Sequence, residues 1–463
     1  MERLGPQDAS FLYLETPSVH QHVGGVAILD PSTAPKGKLA YDDLVRVISS
    51  RLHLVPRFRQ KVVFPPLPVA RPLWVDDPTF DISFHLRRAA LPTPGGRREL
   101  IDFVQRVISR PLDRTKPLWE AYLVEGLEDG LVAVLTKVHH AMVDGVAAID
   151  LASAVFDLSP EPQVLTPPAW TPEQEPDRLD LLVDGIRDQV VHPVMGVADI
   201  VQRTLATPNR VLREAAEILG GLRKVVEGGV LAPPSPFNRK VGPNRRFAMA
   251  DEPLQTFKDV KNALGGTVND GVLATVAGAL YRLLRSRREP TRNRVLRAMV
   301  PVSVRTKDQR SSMGNRVSSI FVDLPVGPMG AKKRLASIRE RTKILKESNY
   351  AVGAEFLMNI GTWAPPTIHA MAARAAARTR VINLVVSNVP GPRVPLYIAG
   401  ARLLAQYPIM PIGETMGLSI AVTSLAGTMA FGITADWDTL PDAPLLAQAI
   451  DDSLAELRKA AGK

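Results

Sequence analysis

The sequence predicts an α/β protein made of two halves and a long connector, and three observations carry that reading. Strand and helix signals alternate through the first 155 residues, six prolines crowd residues 159–177, and the alternation resumes at about residue 240. Proline has a fixed φ and no N–H, so the run SPEPQVLTPPAWTPEQEPD cannot continue a helix or a sheet and reads as an extended linker. A chain of 463 residues has room for two or three cores at roughly 150 residues each. The division that follows is 1–158, a connector at 159–239 and a second half at 240–463.

The elements come in order. His22 to Leu29 is rich in strand formers, whereas Tyr41, Leu44, Val45, Ile48 and Leu52 recur at helical spacing, as do Leu100, Val104, Val107 and Ile108. Trp119–Leu127 and Leu131–Val138 are strand-like runs joined by Glu128-Asp129-Gly130, a hairpin signal. A helix is expected from Asp144 to Phe156, with Asp144 as its cap.

In the connector, Val211, Leu212, Ala215, Ile218, Leu219, Leu222, Val225 and Val226 form one apolar stripe. Arg213, Arg223 and Lys224 would suit an interfacial membrane helix, but Glu214, Glu217 and Glu227 dilute the basic face and favour ordinary packing. Met416–Ala435 carries no charge over twenty residues, yet Gly, Ser and Thr punctuate it and Leu425-Ala426-Gly427-Thr428 reads as a turn. It is expected to be a buried hairpin rather than a membrane span. A last amphipathic helix carries Leu446, Ile450, Leu454 and Leu457.

Composition removes several function classes. The chain has no cysteine, so thiol catalysis, disulfides and thiolate metal sites are out. Its net charge of +10 suits an anionic partner such as the phosphates of CoA or an acidic membrane surface. Nucleic acid is excluded by the lack of a basic run or stacking platform. Glu2, Arg3 and Asp8 interrupt the N-terminal segment, which therefore does not read as a signal peptide, and a cytoplasmic location is expected.

The chemistry concentrates in TKVHHAMVDGVAAIDLA at 136–152, placed after a strand and before a helix. Side chains alternate along a strand, so His139 and His140 face opposite ways if the extended backbone persists. Asp144 follows four residues after His140, and Gly145 permits a tight turn or close backbone approach. His20 and His22 have no thiol or obvious carboxylate partner and read as strand-start residues rather than metal ligands.

This H-H-x-x-x-D-G spacing resembles the signature of the CoA-dependent acyltransferase superfamily. Further segments narrow the likeness: LGPQDASFLYLET at 4–16, PLDRTKPLWEAYLVEGL at 111–127, VNDGVLATVAGAL at 268–280, VPVSVR at 300–305, GNRVSSIFVDLP at 314–325 and SNVPGP at 387–392. Together, and in this order, they resemble the bacterial wax ester synthase/diacylglycerol acyltransferase family. The resemblance implies two chloramphenicol-acetyltransferase-like α/β sandwich domains with the active site in a tunnel between them. It also implies direct transfer from acyl-CoA, a co-substrate rather than a cofactor, to diacylglycerol or a long-chain alcohol, at a membrane or lipid-droplet surface.

Within that resemblance His140 is the general base, a role that suits a neutral imidazole. Asp144 either orients the base or, as the family pattern favours, pairs with Arg305 to hold the motif loop. Asn269 has two readings, a donor to the oxyanion or a cap of the helix beginning near Asp270. Trp119 lines a tunnel or fills the core. Gly271 departs from the family's usual apolar residue, which bears on local packing and leaves the Asn269-Asp270 pair intact. Two alternatives stand beside this reading: a condensation-type enzyme fed by a carrier protein, and a catalytically silent lipid-binding protein.

Overall fold

The computed structural model describes residues 2–66, 70–143, 155–177, 179–181, 183, 231–303, 317–347, 370, 374 and 378–462. The first half opens with β1 (Glu2–Arg3), α1 (Pro6–Leu14), β2 (His22–Asp30) and α2 (Tyr41–Arg51). β3 (Gln60–Val63), β4 (Leu73–Asp76), α3 (Ile82–His85), β5 (Leu86–Ala90) and α4 (Arg97–Ile108) follow. The half closes with β6 (Trp119–Glu125), β7 (Val132–His139) and a 3-10 turn at His140–Met142. The second half contains β8 (Arg245–Pro253), α5 (Leu254–Leu264), α6 (Val268–Ser286), β9 (Val295–Ser303), β10 (Val317–Pro325) and α7 (Ala331–Glu347). It continues with β11 (Leu384–Val389), β12 (Tyr397–Ile398), β13 (Ala401–Ile409), β14 (Leu418–Leu425), β15 (Thr428–Asp436) and α8 (Ala443–Ala460).

Each half is built on a six-stranded sheet, ordered β12-β13-β2-β7-β6-β5 in the first and β10-β9-β11-β14-β15-β8 in the second. The periodic apolar residues do what their spacing predicts. Leu44 and the partly buried Tyr41, Val45 and Ile48 pack α2 onto the first core, with Leu52 just past its end, and Leu446, Ile450, Leu454 and Leu457 bury α8 in the second. The uncharged stretch is the β14–β15 hairpin, whose turn residues Ala426 and Gly427 have φ of 47° and 94°, the left-handed pair that a tight hairpin needs. No helix among the described residues is long and apolar enough to cross a membrane.

The expected division at 240–463 needs one correction, because β12 and β13 leave the second half and enter the first sheet. β13 pairs antiparallel with β2, Tyr407 opposite Val26 and Ile409 opposite Gly24. An alternating strand pattern announces a strand and not the sheet that receives it. The exchange brings the two sheets into contact: a Cβ on Gly432 of β15 would lie 1.8 Å from the Pro408 carbonyl oxygen of β13. β8, at the edge of the second sheet, meets α4 of the first half. Its Arg245 and Phe247 N–H groups donate to Ser109 Oγ (2.8 Å) and Gln105 Oε1 (3.2 Å), which satisfies an edge that would otherwise be free to pair.

The proline run is extended, as expected, and it is also pinned to the first half. Arg51 Nη2 donates to Gln163 O at 2.7 Å, Leu165 N to Ser50 Oγ at 3.2 Å and Glu173 N to Asp76 Oδ2 at 3.1 Å. Arg51 also forms a buried ion pair with Asp157 at 2.5 Å. The apolar stripe at 211–226, and all but the last two residues of the helix expected at 144–156, lie outside the described residues.

Candidate active site

The two histidines sit where β7 ends. His139 is the last strand residue, opposite His22 of β2, and its N–H donates to Leu118 O at 2.9 Å. The strand stops because the next peptide bends back: Ala141 N donates to His139 Nδ1 at 3.1 Å, closing the 3-10 turn. With Nδ1 accepting, the ring hydrogen belongs on Nε2. That nitrogen is buried and lies 3.2 Å from Glu15 Oε1, an ion-pair distance without the alignment of a hydrogen bond.

His140 takes a different direction. Its N–H donates to Gln21 O at 2.7 Å, and its ring stacks on Phe11 of α1, centroids 3.9 Å apart. Nδ1 is buried with no hydrogen-bond partner. Burial pushes the imidazole pKa down from 6.5 to about 4; its own backbone carbonyl works against that shift and His139 adds slightly to it. At neutral pH His140 is therefore uncharged and able to accept a proton.

Glu15, at the end of α1, is the residue that reading the sequence missed. Its Oε2 accepts from Arg114 at 2.5 Å and its Oε1 from Gln21 N at 2.9 Å, with His22 Nε2 at 3.9 Å. Burial works to raise its pKa, but His139, Arg114 and the Gln21 N–H outweigh burial and hold the carboxyl well below its usual range. The acid lies in the opening segment LGPQDASFLYLET, and that was the signal available.

Glu15 also supplies the carboxylate that His20 and His22 lack in sequence, and donor atoms of the three lie within 4.8 Å of one another. Burial, first, lowers the pKa of both imidazoles, with the field of Lys137 acting on both and that of Arg245 on His20, and Arg114 neutralises Glu15. These surrounding positive charges oppose a divalent cation.

Trp119 is a buried core residue. Nε1 donates to Phe58 O at 2.9 Å and the ring stacks on His85 at 4.7 Å, as in a satisfied core tryptophan. The residue also lines an apolar cavity of about 190 Å³ beneath α2, within the first half, together with Ala27, Leu44, Ala121, Val134 and Val138. Val134, Thr136 and Val138, alternate residues of β7, line this cavity.

In the second half, the cap of α6 is Thr267 rather than Asn269. Thr267 Oγ1 accepts from Asp270 N at 3.1 Å, and Asp270 Oδ2 accepts from Thr267 N at 2.8 Å, a reciprocal capping box. Asp270 is buried and also accepts from Thr342 Oγ1 at 2.7 Å, tying α6 to α7. Asn269 is free of the capping task, and its Oδ1 accepts from Asn388 Nδ2 at 3.2 Å. Gly271 makes room for Phe257, whose Cδ1 would lie 3.3 Å from a Cβ there. Asp144, Gly145 and Arg305 lie outside the described residues.

Residues 4–272 match the wax ester synthase/diacylglycerol acyltransferase catalytic domain and residues 313–458 match the WS/DGAT C-terminal domain. A putative diacylglycerol O-acyltransferase of Mycobacterium tuberculosis is 35% identical over 463 residues, which cover 99% of this chain and 90% of that protein. The chain belongs to the wax ester synthase/diacylglycerol acyltransferase family. It is an acyltransferase.

Other WS/DGAT relatives agree in extent. A probable diacylglycerol O-acyltransferase of M. tuberculosis, tgs2, is 34% identical over 472 residues with both chains covered completely. The wax ester synthase/diacylglycerol acyltransferase from Marinobacter aquaeolei VT8 matches the whole structure with a TM-score of 0.68 at 29% identity, each chain covered to 100%. The first condensation domain of the calcium-dependent antibiotic synthetase shares the fold alone, at 16% identity and a TM-score of 0.58 over 100% of this chain and 96% of that one. So remote a likeness does not favour the carrier-protein alternative for a WS/DGAT chain.

Proposed function

We propose that this WS/DGAT protein transfers an acyl group from acyl-CoA to diacylglycerol, and to long-chain alcohols as a second acceptor class, with His140 as general base. The observation that carries the reading is a neutral imidazole at the end of β7, stacked on Phe11 and packed beside the apolar cluster that surrounds the cavity. An alcohol is a poor nucleophile until its proton can leave. His140 takes that proton as the oxygen attacks the thioester carbonyl, and returns it to CoA as the C–S bond breaks. The acyl chain occupies the cavity under α2, and Asn269 donates to the developing oxyanion. A chain without cysteine and without a G-x-S-x-G elbow fits direct transfer and needs no resident cofactor.

The protein works peripherally, at the inner face of the membrane or on lipid droplets, because its acceptor is insoluble in water. The net charge of +10 suits both the CoA phosphates and an anionic surface. Purified protein given palmitoyl-CoA and separate panels of diacylglycerols, fatty alcohols and sterols should release CoA thiol and form triacylglycerol first. Transfer only from an acylated carrier protein would overturn the donor assignment, and membrane binding that resists both high salt and carbonate would overturn the peripheral one.

A further inference from the structure

Glu15 stands at the centre of a closed circuit of contacts that fixes the catalytic turn. Its Oε1 accepts from Gln21 N at 2.9 Å, and the carbonyl of the same residue, Gln21, accepts from His140 N at 2.7 Å. From His140 the chain passes to Ala141, whose N–H donates to His139 Nδ1 at 3.1 Å. The far nitrogen of that ring, Nε2, returns to Glu15 Oε1 at 3.2 Å and closes the circuit. Arg114, from the segment that leads into β6, holds the second carboxylate oxygen at 2.5 Å.

Every member of the circuit other than Glu15 is a backbone group or His139. One carboxylate therefore sets the His139 ring, through it the turn, and separately the peptide to which His140 is bonded. Its charge matters as well as its shape: an anion beside Nε2 favours the tautomer that leaves Nδ1 free to accept from Ala141.

We infer that Glu15 is a positioning residue for the acyl transfer, holding His139 in the Nε2–H tautomer so that the Ala141 N–H bond and the turn carrying His140 are kept in the reactive geometry. The inference rests on the general-base reading of His140. It assigns Glu15 no contact with substrate, and it gives the first histidine of the motif the task of anchoring the turn that carries the second.

The test compares wild type, Glu15→Gln, His139→Ala, the double variant and His140→Ala as purified full-length proteins, with palmitoyl-CoA and a diacylglycerol. A glutamine keeps the size and can still accept from Gln21, but it carries no charge to favour Nε2–H. A misplacement of about 1 Å costs on the order of 100-fold in rate, so kcat of Glu15→Gln should fall by that order with KM for palmitoyl-CoA unchanged. In the His139→Ala background the same substitution should cost nothing further. Histidine ¹⁵N spectra should show the Nε2–H form of His139 in wild type and a mixture of tautomers in Glu15→Gln.

Wild-type kcat in Glu15→Gln, or additive losses in the double variant, would overturn the positioning role. A loss confined to melting temperature, with an unchanged tautomer, would overturn it equally. Activity in folded His140→Ala would instead overturn the general-base reading, which separates the two failures.

Discussion

His140 lies face to face with Phe11, ring centroids 3.9 Å apart and planes inclined by 20°. This stack places the imidazole against α1, so that helix forms one wall of the candidate site. The same contact helps to exclude water from the ring, and burial is the main reason that His140 resists protonation.

The first prediction is an acid limb in the wrong place for an ordinary histidine. With the pKa lowered from 6.5 to about 4, the base stays neutral at pH 5, and kcat/KM should hold its plateau until the pH approaches 4. Phe11→Ala should expose the ring and move the inflection back toward 6.5. The stability linkage has a definite sign. The unfolded chain binds this proton at a higher pH than the folded one does, so the contribution is complete above 6.5 and is lost as pH falls through the window from 6.5 to about 4. The pH profile of kcat/KM for both proteins checks the assignment, and a wild-type inflection near 6.5 would contradict it.

The second prediction separates the paired histidines. His140→Ala should lose the roughly 100- to 10,000-fold that general-base catalysis supplies, with its melting temperature nearly unchanged. His139→Ala should melt lower as well as turn over more slowly. It leaves the buried Ala141 N–H without its acceptor, a cost of about 1–3 kcal/mol. Turnover and thermal melting measured side by side decide the matter: the histidine mechanism fails if folded His140→Ala keeps its rate.

What the sequence could reveal was periodic or contiguous. The stripes of α2, α4 and α8, the β14–β15 hairpin and the histidine pair at a strand end all rest on residues within one turn or one strand of each other. Glu15 and His139 are separated by more than a hundred positions, as are Arg51 and Asp157, and no local pattern encodes such meetings. They depend on which strands pair, and β13, whose own strand pattern is clear, crosses into the other half's sheet. The capping of α6 shows the reverse case. Thr267 and Asp270 form a box that spacing alone could have revealed, and doing so would have freed Asn269 for another role.

That freedom gives the third prediction. Asn269→Ala should cost turnover about 100- to 1,000-fold, the usual loss of one oxyanion donor, while leaving stability close to wild type because the cap is elsewhere. Thr267→Ala should do the opposite, losing about 1 kcal/mol of stability with a smaller effect on kcat. Urea unfolding and steady-state kinetics on the two variants test the division of labour. Equal destabilisation by both, with the rate of Asn269→Ala unimpaired, would return Asn269 to a structural part.

The fourth concerns the cavity of about 190 Å³, in which Gly25, Ala27 and Ala121 are the small residues among larger neighbours. Ala121 lies on β6 opposite Thr136 and is almost fully buried, so a larger side chain there must take its space from the cavity or from the packing around it. If the acyl chain lies in this cavity, Ala121→Phe shortens the chain that can be accepted. Each methylene driven back toward water costs about 0.8 kcal/mol, roughly fourfold in binding. Losing a few of them should lower the preference for palmitoyl-CoA over octanoyl-CoA by about tenfold or more, with octanoyl turnover retained. Ala121→Leu, a smaller insertion, should give an intermediate shift and guards against overpacking, which typically costs about 1–3 kcal/mol. The measurement is kcat/KM across a series of acyl-CoA lengths on proteins of verified melting temperature. An unaltered length preference in a well-folded Ala121→Phe protein would place the acyl chain outside this cavity, and turnover that falls equally at every length would point to damage at the β6–β7 pair on which His139 depends.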